Sequence, residues 1–564
     1  MVTYFKKHGL LKTLSYYDVW LFLFYVICFF LMKDFLLETL TSQIPMISIQ
    51  NFLTNFLPFL FVGFFCYLFC HNCRQKTYLF RTGRSLAYDM TNYRRTYHQL
   101  IDYFEDAEQY QMNSDFLPKK SWKELEGLMF GATFHLPSNK DGSNIFIYGI
   151  PGCGKTAGPI ICSALRWGMT EPYGKNSTTS KKDSCHGSVF CIDIKNDIWN
   201  ATHDYRLIKC FNLMDPSKSC HFNPLAGVET LSIDDRCIFV ESLGCNLLKF
   251  SGASNEKYFY DTALDYWTGI SLYLLSKDVH ISFPALLDKI LTGDAITWVK
   301  RVIEDGPIES KRLLASKKGE NPKNLSGAFA FLCSSIRPLT SHMLSSLLGN
   351  RTGAEYISPQ CLEEGYDVYI QLDQTQLASY STLISLITEV FMTHALSREK
   401  NPHAGRLADG TLRPIVFILD EFAQLSTLTY DRVAALFMTG RSRNVSVVCA
   451  LQSQSSLIQM FHSEEACKSL IDCVSTFCFL SIQEVATRQW ASALIGTKKS
   501  LQISNNLTNT QNSHHTGKTV SETREPIIFP EEFGTLKAPE HGKDQLIIYH
   551  KGKYARLEKI YYFK

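Results

Sequence analysis

Two long apolar stretches stand out near the start of the sequence. Residues 19–32 are all apolar or aromatic, and residues 52–70 form a second run without a single charged side chain. A helix rises about 1.5 Å per residue, and a bilayer core is about 30 Å thick, so runs of this kind are typical of membrane spans. The pattern predicts a two-helix transmembrane hairpin within residues 1–73.

A cleaved signal peptide is the alternative for the first run, but no small-residue cleavage site follows it and a second run comes soon after.

The charges around these runs predict an orientation. Cytoplasmic flanks of membrane spans are enriched in Lys and Arg. We therefore expect a membrane protein in contact with lipid, with both termini and the body of the chain in the cytoplasm. The flanking basic residues are Lys6, Lys7, Lys12, Arg74, Lys76, Arg81 and Arg84.

Further along the chain, short apolar runs alternate with stretches of helical spacing. This alternation predicts a mostly parallel, RecA-like α/β sheet. Residues 226–364 show helical spacing only, which predicts an inserted all-α domain within a nucleotide-binding domain formed by residues 74–225 and 365–564. The predicted strands are residues 144–148, 188–193, 366–372, 415–419, 445–451, 475–480 and 545–549.

A glycine-rich motif of the form GxxxxGK[ST] directly follows the first of these strands and precedes a helical stretch. Its backbone amides and the helix amino terminus suit phosphate oxygens. Lys155 is expected to reach the β and γ phosphates of ATP, and Thr156 to offer its hydroxyl to Mg²⁺. The predicted nucleotide-binding residues are Gly149, Ile150, Pro151, Gly152, Cys153, Gly154, Lys155 and Thr156.

Two carboxylates follow the apolar run 415–419, as in a Walker B motif. Asp420 is expected to bind Mg²⁺, and Glu421 to polarise the attacking water as a general base. A glutamate at this position favours hydrolysis over binding alone. The alternative, an acidic helix cap after a buried strand, does not explain the P-loop that accompanies it.

The run 445–451 lies between two candidate catalytic residues. Gln452 follows it and is a candidate for sensing the γ-phosphate or orienting water. Arg441 precedes it and is a candidate to act on a nucleotide that a neighbouring subunit holds. A solvated or ion-paired arginine is the alternative for Arg441.

Composition changes this picture little. The net charge is only +3, so the chain as a whole lacks the field of a dedicated nucleic-acid-binding domain. Its 18 cysteines are scattered and often apolar in context, which favours buried thiols over disulfides. Cys70 and Cys73 form a CxxC without a second pair, and we predict no zinc site there.

Two polar segments without apolar periodicity, residues 176–184 and 504–522, are predicted to be surface loops. Each contains a pair of residues that are candidates for contact with DNA phosphate, although such residues more often belong to a solvated loop. These pairs are Lys181 with Lys182 and His514 with His515.

The order of these motifs resembles that of the type IV coupling proteins of conjugation and type IV secretion, the TraG/TraD group. Residues 190–195 look like that family's strand ending in Asp-Pro-Lys, with Ile194 in place of the proline. Residues 211–225 resemble its Asn-Pro-Leu signature before the all-α domain. Residues 440–452 resemble its third motif, and residues 525–536 resemble a segment near its carboxyl end.

The resemblance implies a homo-hexameric ATPase at the inner membrane that uses ATP and Mg²⁺ to move DNA. Its implied partners are a relaxase-bound single strand and the components of a type IV secretion channel. An FtsK-like DNA translocase is one alternative, although it would ordinarily carry more spans and a winged-helix end. A membrane receptor for secreted proteins that uses nucleotide only as a switch is another, and Glu421 argues against it.

Overall fold

The computed structural model describes most of the chain beyond its first 120 residues, and these residues belong to one compact unit, Met112–Lys564. The predicted membrane hairpin and the polar segment 176–184 lie outside them. No helix within the described part of the chain is long and apolar enough to cross a membrane. The described ranges are 121–131, 134–138, 143–171, 185–248, 256–425, 428–510, 513–536 and 544–563.

A nine-stranded sheet lies at the centre, in the order β15-β14-β11-β3-β10-β9-β4-β8-β5. From β11 to β5 every neighbouring pair is parallel, whereas β14 and β15 add an antiparallel edge. Its strands are β3 (Asn144–Tyr148), β4 (Ser188–Asp193), β5 (Ile208–Asn212), β8 (Asp367–Gln371), β9 (Ile415–Leu419), β10 (Val445–Leu451), β11 (Thr476–Phe479), β14 (Gln545–His550) and β15 (Lys553–Glu558).

Three small two-stranded sheets accompany the large one. They pair β1 with β2, β6 with β7, and β12 with β13. Their strands are β1 (Leu128–Gly131), β2 (Phe134–Leu136), β6 (His221–Phe222), β7 (Tyr356–Ile357), β12 (Thr497–Thr510) and β13 (Ser513–Pro526).

The helices that connect the central strands cover the large sheet, while the described residues between β6 and β7 form seven helices, α3 to α9. The helices are α1 (Ile161–Arg166), α2 (Asp197–Thr202), α3 (Ile233–Leu247), α4 (Lys257–Lys277), α5 (Phe283–Leu291), α6 (Ala295–Asp305), α7 (Ile308–Ala315), α8 (Pro322–Ile336), α9 (His342–Leu347), α10 (Pro359–Glu363), α11 (Leu377–Ser397), α12 (Tyr430–Thr439), α13 (Gln454–Phe461), α14 (Glu464–Asp472) and α15 (Val485–Ile495).

All seven predicted strands are present, each within one residue of its predicted bounds. The five central strands β3, β4, β8, β9 and β10 are buried along their whole length, as expected of parallel strands covered on both faces. The edge strand β5 was missed because only Phe211 among its residues is fully buried, so no continuous apolar run marks it.

The prediction of a surface loop at residues 504–522 is wrong. Residues of β12 and β13 pair antiparallel from Thr497 opposite Pro526 to Thr510 opposite Ser513. Backbone hydrogen bonds along a hairpin need no apolar alternation, so the hydrophobic pattern could not reveal it. His514 and His515 therefore lie on β13, next to the turn of this hairpin.

A buried ionic cluster joins α10, α11 and the approach to β9. Arg398 donates two hydrogen bonds to the carboxylate of Glu363, at 2.7 and 2.9 Å, and both side chains are fully buried. His394 lies 2.9 Å from the same carboxylate, and the backbone N–H of Gly405 donates to it at 2.8 Å. Arg398 also donates to the carbonyl of Arg413, just before β9, so the cluster stabilises the edge opposite the P-loop.

We predict that Glu363→Gln destabilises the fold in a pH-dependent way. Burial alone would raise the pKa of Glu363, but His394 and Arg398 bring it down to about 2. A lowered pKa contributes stability that is complete above about pH 4.5 and is lost as the pH falls towards 2. Denaturant unfolding should show a loss of about 3–5 kcal/mol at pH 7, because Arg398 loses its counter-charge, and a smaller loss at pH 3.

The matched control is Glu399→Gln, one residue beyond Arg398, because the Glu399 side chain is 67% exposed. This exposed substitution should change the free energy of unfolding by less than about 1 kcal/mol at either pH. A Glu363→Gln effect of equal size at pH 7 and pH 3 would contradict the ionic role of the cluster.

Candidate nucleotide site

The P-loop connects the carboxyl end of β3 to a π-helical turn, Thr156–Ile160, that continues into α1. The side chain of Lys155 is buried and bends back over the loop, where its ammonium donates to the carbonyls of Gly149 at 2.6 Å and Ile150 at 3.3 Å. These carbonyls satisfy the hydrogen-bonding needs of a buried cation. The ammonium is thus already inside the loop that the sequence predicts to enclose the phosphates.

The predicted Walker B carboxylates lie beside this loop. β10 pairs with β3 on one side and with β9 on the other, so the carboxyl ends of all three strands meet at one edge. The Thr156 hydroxyl donates to Asp420 Oδ2 at 2.9 Å, across 264 residues of sequence. The two predicted magnesium ligands are therefore in direct contact.

The oxygen pair of Thr156 and Asp420 fits a magnesium ion. Burial raises the pKa of the Asp420 carboxyl, and the hydrogen bond from Thr156 opposes the rise. A nearby dication would favour the ionised form. Mg²⁺ commonly takes one or two protein oxygens and completes its shell with phosphate and water. Accordingly, no cluster of three or more His, Cys, Asp or Glu side chains forms a metal site in the described part of the chain.

Glu421 occupies a strained and enclosed position directly after Asp420. Its φ of 53° lies in the left-handed region, which costs a non-glycine residue about 1–3 kcal/mol. The side chain is buried, and Gln452 Nε2 lies 3.4 Å from one carboxylate oxygen. The structure thus brings together Glu421 and Gln452, which the sequence predicts to act on water and the γ-phosphate.

Lys195 completes the surroundings of Glu421 and was not among the predicted site residues. Its ammonium lies 3.5 Å from Glu421 Oε1, and its side chain is 42% exposed. It follows β4, which pairs in parallel with β9 and therefore ends at the same edge. The resemblance of residues 190–195 to the family's Asp-Pro-Lys strand end already pointed to this lysine, and the pairing of β4 with β9 shows that it lies beside Glu421.

A second buried carboxylate, Asp193, ends β4 beside this group. Burial raises its pKa to about 6, with a further contribution from the charge of Asp420, while the backbone N–H of Trp199 donates to it and opposes the rise. Asn196, at a φ of 63°, turns the chain between Asp193 and α2. The left-handed conformation of Asn196 therefore defines the turn that carries Lys195. The side chain of Ile194, in the same turn, is buried.

Arg441 is placed differently. It lies on the 3₁₀ turn Gly440–Arg443 that precedes β10, whereas Gln452 follows that strand. Seven residues of strand at about 3.3 Å each separate the two by roughly 20 Å. The exposed Arg441 is thus at the edge opposite its own P-loop. The structure does not bring it to the site within one chain, and its predicted role in a neighbouring subunit stays a prediction.

Comparisons with known proteins identify the family of this chain. The model of a family described as "Type IV secretory system Conjugative DNA transfer" matches residues 180–564, more than half of the chain. No curated protein matches the chain.

Solved structures match the fold. The chain is similar to the unbound monoclinic form of the bacterial conjugative coupling protein TrwBdeltaN70, at 14% identity and a TM-score of 0.55, over 77% of this chain and 89% of that one. TrwB in complex with ADP and Mg²⁺ matches at 14% identity and 0.55, over 80% and 92%. TrwB with the ATP analogue ADPNP matches at 14% and 0.55, over 80% and 93%. These matches confirm the predicted α/β fold with a mostly parallel central sheet.

We predict that Gly149→Ala disrupts the P-loop for a steric reason. A Cβ at Gly149 would lie 2.5 Å from Cys153 Sγ, closer than two such atoms can approach. The loop must then shift, and we expect calorimetry to show an affinity for Mg²⁺-ATP at least about tenfold lower.

Cys153→Ala removes the sulfur and supplies the matched test. Alone it should leave the affinity nearly unchanged, and combined with Gly149→Ala it should restore most of the loss, as coupled neighbours do in a double-mutant cycle. Purely additive effects would show that the clash is not the cause.

Proposed function

The chain belongs to the type IV secretory system family for conjugative DNA transfer, and we propose that it is an ATPase that drives DNA or nucleoprotein into a secretion channel. The observation that carries the ATPase assignment is the contact of Thr156 with Asp420, with Glu421 next to it, at the mouth of the P-loop. This arrangement provides a phosphate cradle, a metal site and a carboxylate for water in one place.

Each side chain has a role that follows from its position. Lys155 exchanges its carbonyl partners for the β and γ phosphates, while Thr156 and Asp420 hold Mg²⁺. The metal, when bound, neutralises charge that develops on the phosphates. Glu421 accepts a hydrogen bond from the attacking water, and Gln452 orients that water or senses the γ-phosphate.

Lys195 has a second proposed role in the same step. Its ammonium lies beside the carboxylate of Glu421, and its side chain is partly exposed. When ATP binds, the ammonium could therefore move from this carboxylate to the γ-phosphate. Such a cation would stabilise the charge that develops during phosphoryl transfer. Once Lys195 has moved to the γ-phosphate, the carboxylate of Glu421 could accept a hydrogen bond from the attacking water.

The proposed assembly and location are those that the family resemblance implies. We propose a homo-hexamer at the inner membrane, with residues 1–73 as a two-span hairpin in lipid and both termini cytoplasmic. Residues 74–225 and 365–564 form the motor domain, and residues 226–364 the all-α domain. In a ring, the edge that carries Arg441 would face the P-loop edge of the next subunit, where its guanidinium would reach the γ-phosphate. A relaxase-bound single strand and channel components are the proposed partners.

We predict that Glu421→Gln separates binding from turnover. The amide keeps the size of the side chain but cannot act as a base, so kcat should fall by about 10²–10⁴ while the Kd for ATP stays within about threefold. Conjugative transfer in cells should be lost as well. Glu465→Gln, an exposed glutamate on α14, is the matched control and should retain both activities. Unchanged transfer with Glu421→Gln would favour a nucleotide-switched receptor over a motor.

We also predict that DNA stimulates the ATPase. Protein lacking residues 1–73 should hydrolyse ATP faster with single-stranded DNA, and the stimulation should fall with rising salt because phosphate contacts release counterions. Single-stranded and duplex DNA are compared at matched nucleotide concentration. Turnover that no nucleic acid changes at any salt concentration would move the assignment towards protein cargo.

A further inference from the structure

A segment that follows β15, Lys559–Phe563, lies directly on the P-loop. The ammonium of Lys559 donates to the carbonyl of Cys153 at 3.2 Å, and the backbone N–H of Tyr562 donates to the carbonyl of Ala157 at 3.1 Å. These contacts join residues some 400 positions apart in the sequence. The ATPase roles proposed above do not account for them.

Two glycines make this approach sterically feasible. A Cβ at Gly154 would lie 3.0 Å from the ring of Tyr561, and a Cβ at Gly158 would lie 2.7 Å from the carbonyl oxygen of Ile560. Gly154 belongs to the phosphate-binding motif, but Gly158 does not. Among the described residues outside its own helix, a side chain at Gly158 would meet the Ile560 backbone, so this glycine suits the segment rather than the phosphates.

The segment is held rigidly. The Lys559 side chain is almost fully buried, and its ammonium lies 3.8 Å from Asp544. The hydroxyl of Tyr561 donates to the other carboxylate oxygen of Asp544 at 2.8 Å, and the backbone N–H of Lys559 donates to the Asp544 carbonyl at 3.0 Å. A rigid support is what an aromatic binding surface requires.

The aromatic rings of the segment form a small cluster with one open side. The rings of Tyr561 and Phe563 stack at 5.3 Å with planes 28° apart, and the ring of Tyr562 meets Phe563 edge-on, also at 5.3 Å. Phe563 is 62% exposed. Phe563 is thus connected to the P-loop through Tyr561, whose ring lies at Gly154. An exposed aromatic ring in this position is suited to stack on a nucleobase.

The sheet order indicates which end of a nucleotide would meet these rings. Glu421 and Lys195, which mark the γ-phosphate end, follow β9 and β4 on one side of β3. β11, β14 and β15 lie on the other side, and the aromatic segment follows β15. A triphosphate whose γ-phosphate faces Glu421 therefore extends its α-phosphate, ribose and base towards the segment.

We propose that Lys559–Phe563 forms the nucleobase site of this ATPase, with Phe563 as the ring that stacks on the base and the Lys559 and Tyr561 contacts as its support. The inference rests on the proposed function, because it assigns the residues that bind the base of the ATP whose phosphates the P-loop holds. Sequence reasoning missed it because nothing in residues 559–563 resembles a nucleotide motif.

The test compares Mg²⁺-ATP with Mg²⁺-tripolyphosphate, which has the phosphates but neither ribose nor base. Calorimetry on the full chain in lipid nanodiscs measures both affinities for the wild type and Phe563→Ala. Phe563→Ala should weaken ATP binding about 5- to 150-fold, as expected for loss of one base–aromatic contact, and leave tripolyphosphate binding unchanged. Phe563→Tyr keeps the ring and should retain wild-type affinity for both ligands.

Phe563→Trp adds a direct readout in the same protein. ATP should quench the additional tryptophan fluorescence, measured as the difference from the wild type, whereas tripolyphosphate should not. Equal effects of Phe563→Ala on both ligands, or none on ATP, would overturn the proposal. Lys155→Ala tests the P-loop assignment separately from the base site, because it should abolish the binding of both ATP and tripolyphosphate. Wild-type affinity for both ligands in this variant would overturn the P-loop assignment and, with it, the base site.

Discussion

The proposed nucleotide site depends on one strand, β10. It pairs in parallel with β3 and β9, so the loop after β3 and the carboxylates after β9 end at the same edge. Strands in a sheet lie about 4.8 Å apart, which puts β3 and β9 roughly 10 Å from each other. The π-helical turn brings Thr156 back across that gap to Asp420, and every proposed step of hydrolysis depends on this contact.

Charge is concentrated at this edge in a way that favours a metal-bound triphosphate. Burial raises the pKa values of both Asp193 and Asp420, so the charged forms of these carboxyls are costly without a compensating cation. Lys155 meanwhile donates to backbone carbonyls, a weaker partner for an ammonium than phosphate. A magnesium triphosphate would supply the cation for the carboxylates and the anion for the lysine at once. The preorganised groups would then need little rearrangement before hydrolysis.

Hydrophobic pattern predicted the elements whose burial is continuous. The central strands and the P-loop between β3 and α1 follow from apolar runs and glycine spacing, and parallel pairing then places Asp420 and Gln452 correctly. The motif that ends at Lys195 was recognised in the sequence, but its contact with Glu421 required knowledge that β4 is adjacent to β9, which strand order along the chain does not give. The same holds for Lys559–Phe563, whose position beside the P-loop depends on β14 and β15 turning back at the edge of the sheet.

The hairpin of β12 and β13 escaped prediction for a different reason. It carries no apolar alternation, and local polarity therefore indicated a loop. Arg441 illustrates a third limit, because its position roughly 20 Å from its own P-loop gives it a catalytic role only if a second copy of the chain lies nearby. A property of an assembly cannot be read from the periodicity of one sequence.

The most direct measurement is an experimental structure of the protein with Mg²⁺ and a non-hydrolysable ATP analogue. The account predicts the ion bound to the hydroxyl of Thr156, in contact with Asp420 directly or through water, with Glu421 facing the γ-phosphate. A structure in which the strand ending at Asp420 lies away from the phosphates, with the analogue bound elsewhere on the chain, would contradict it.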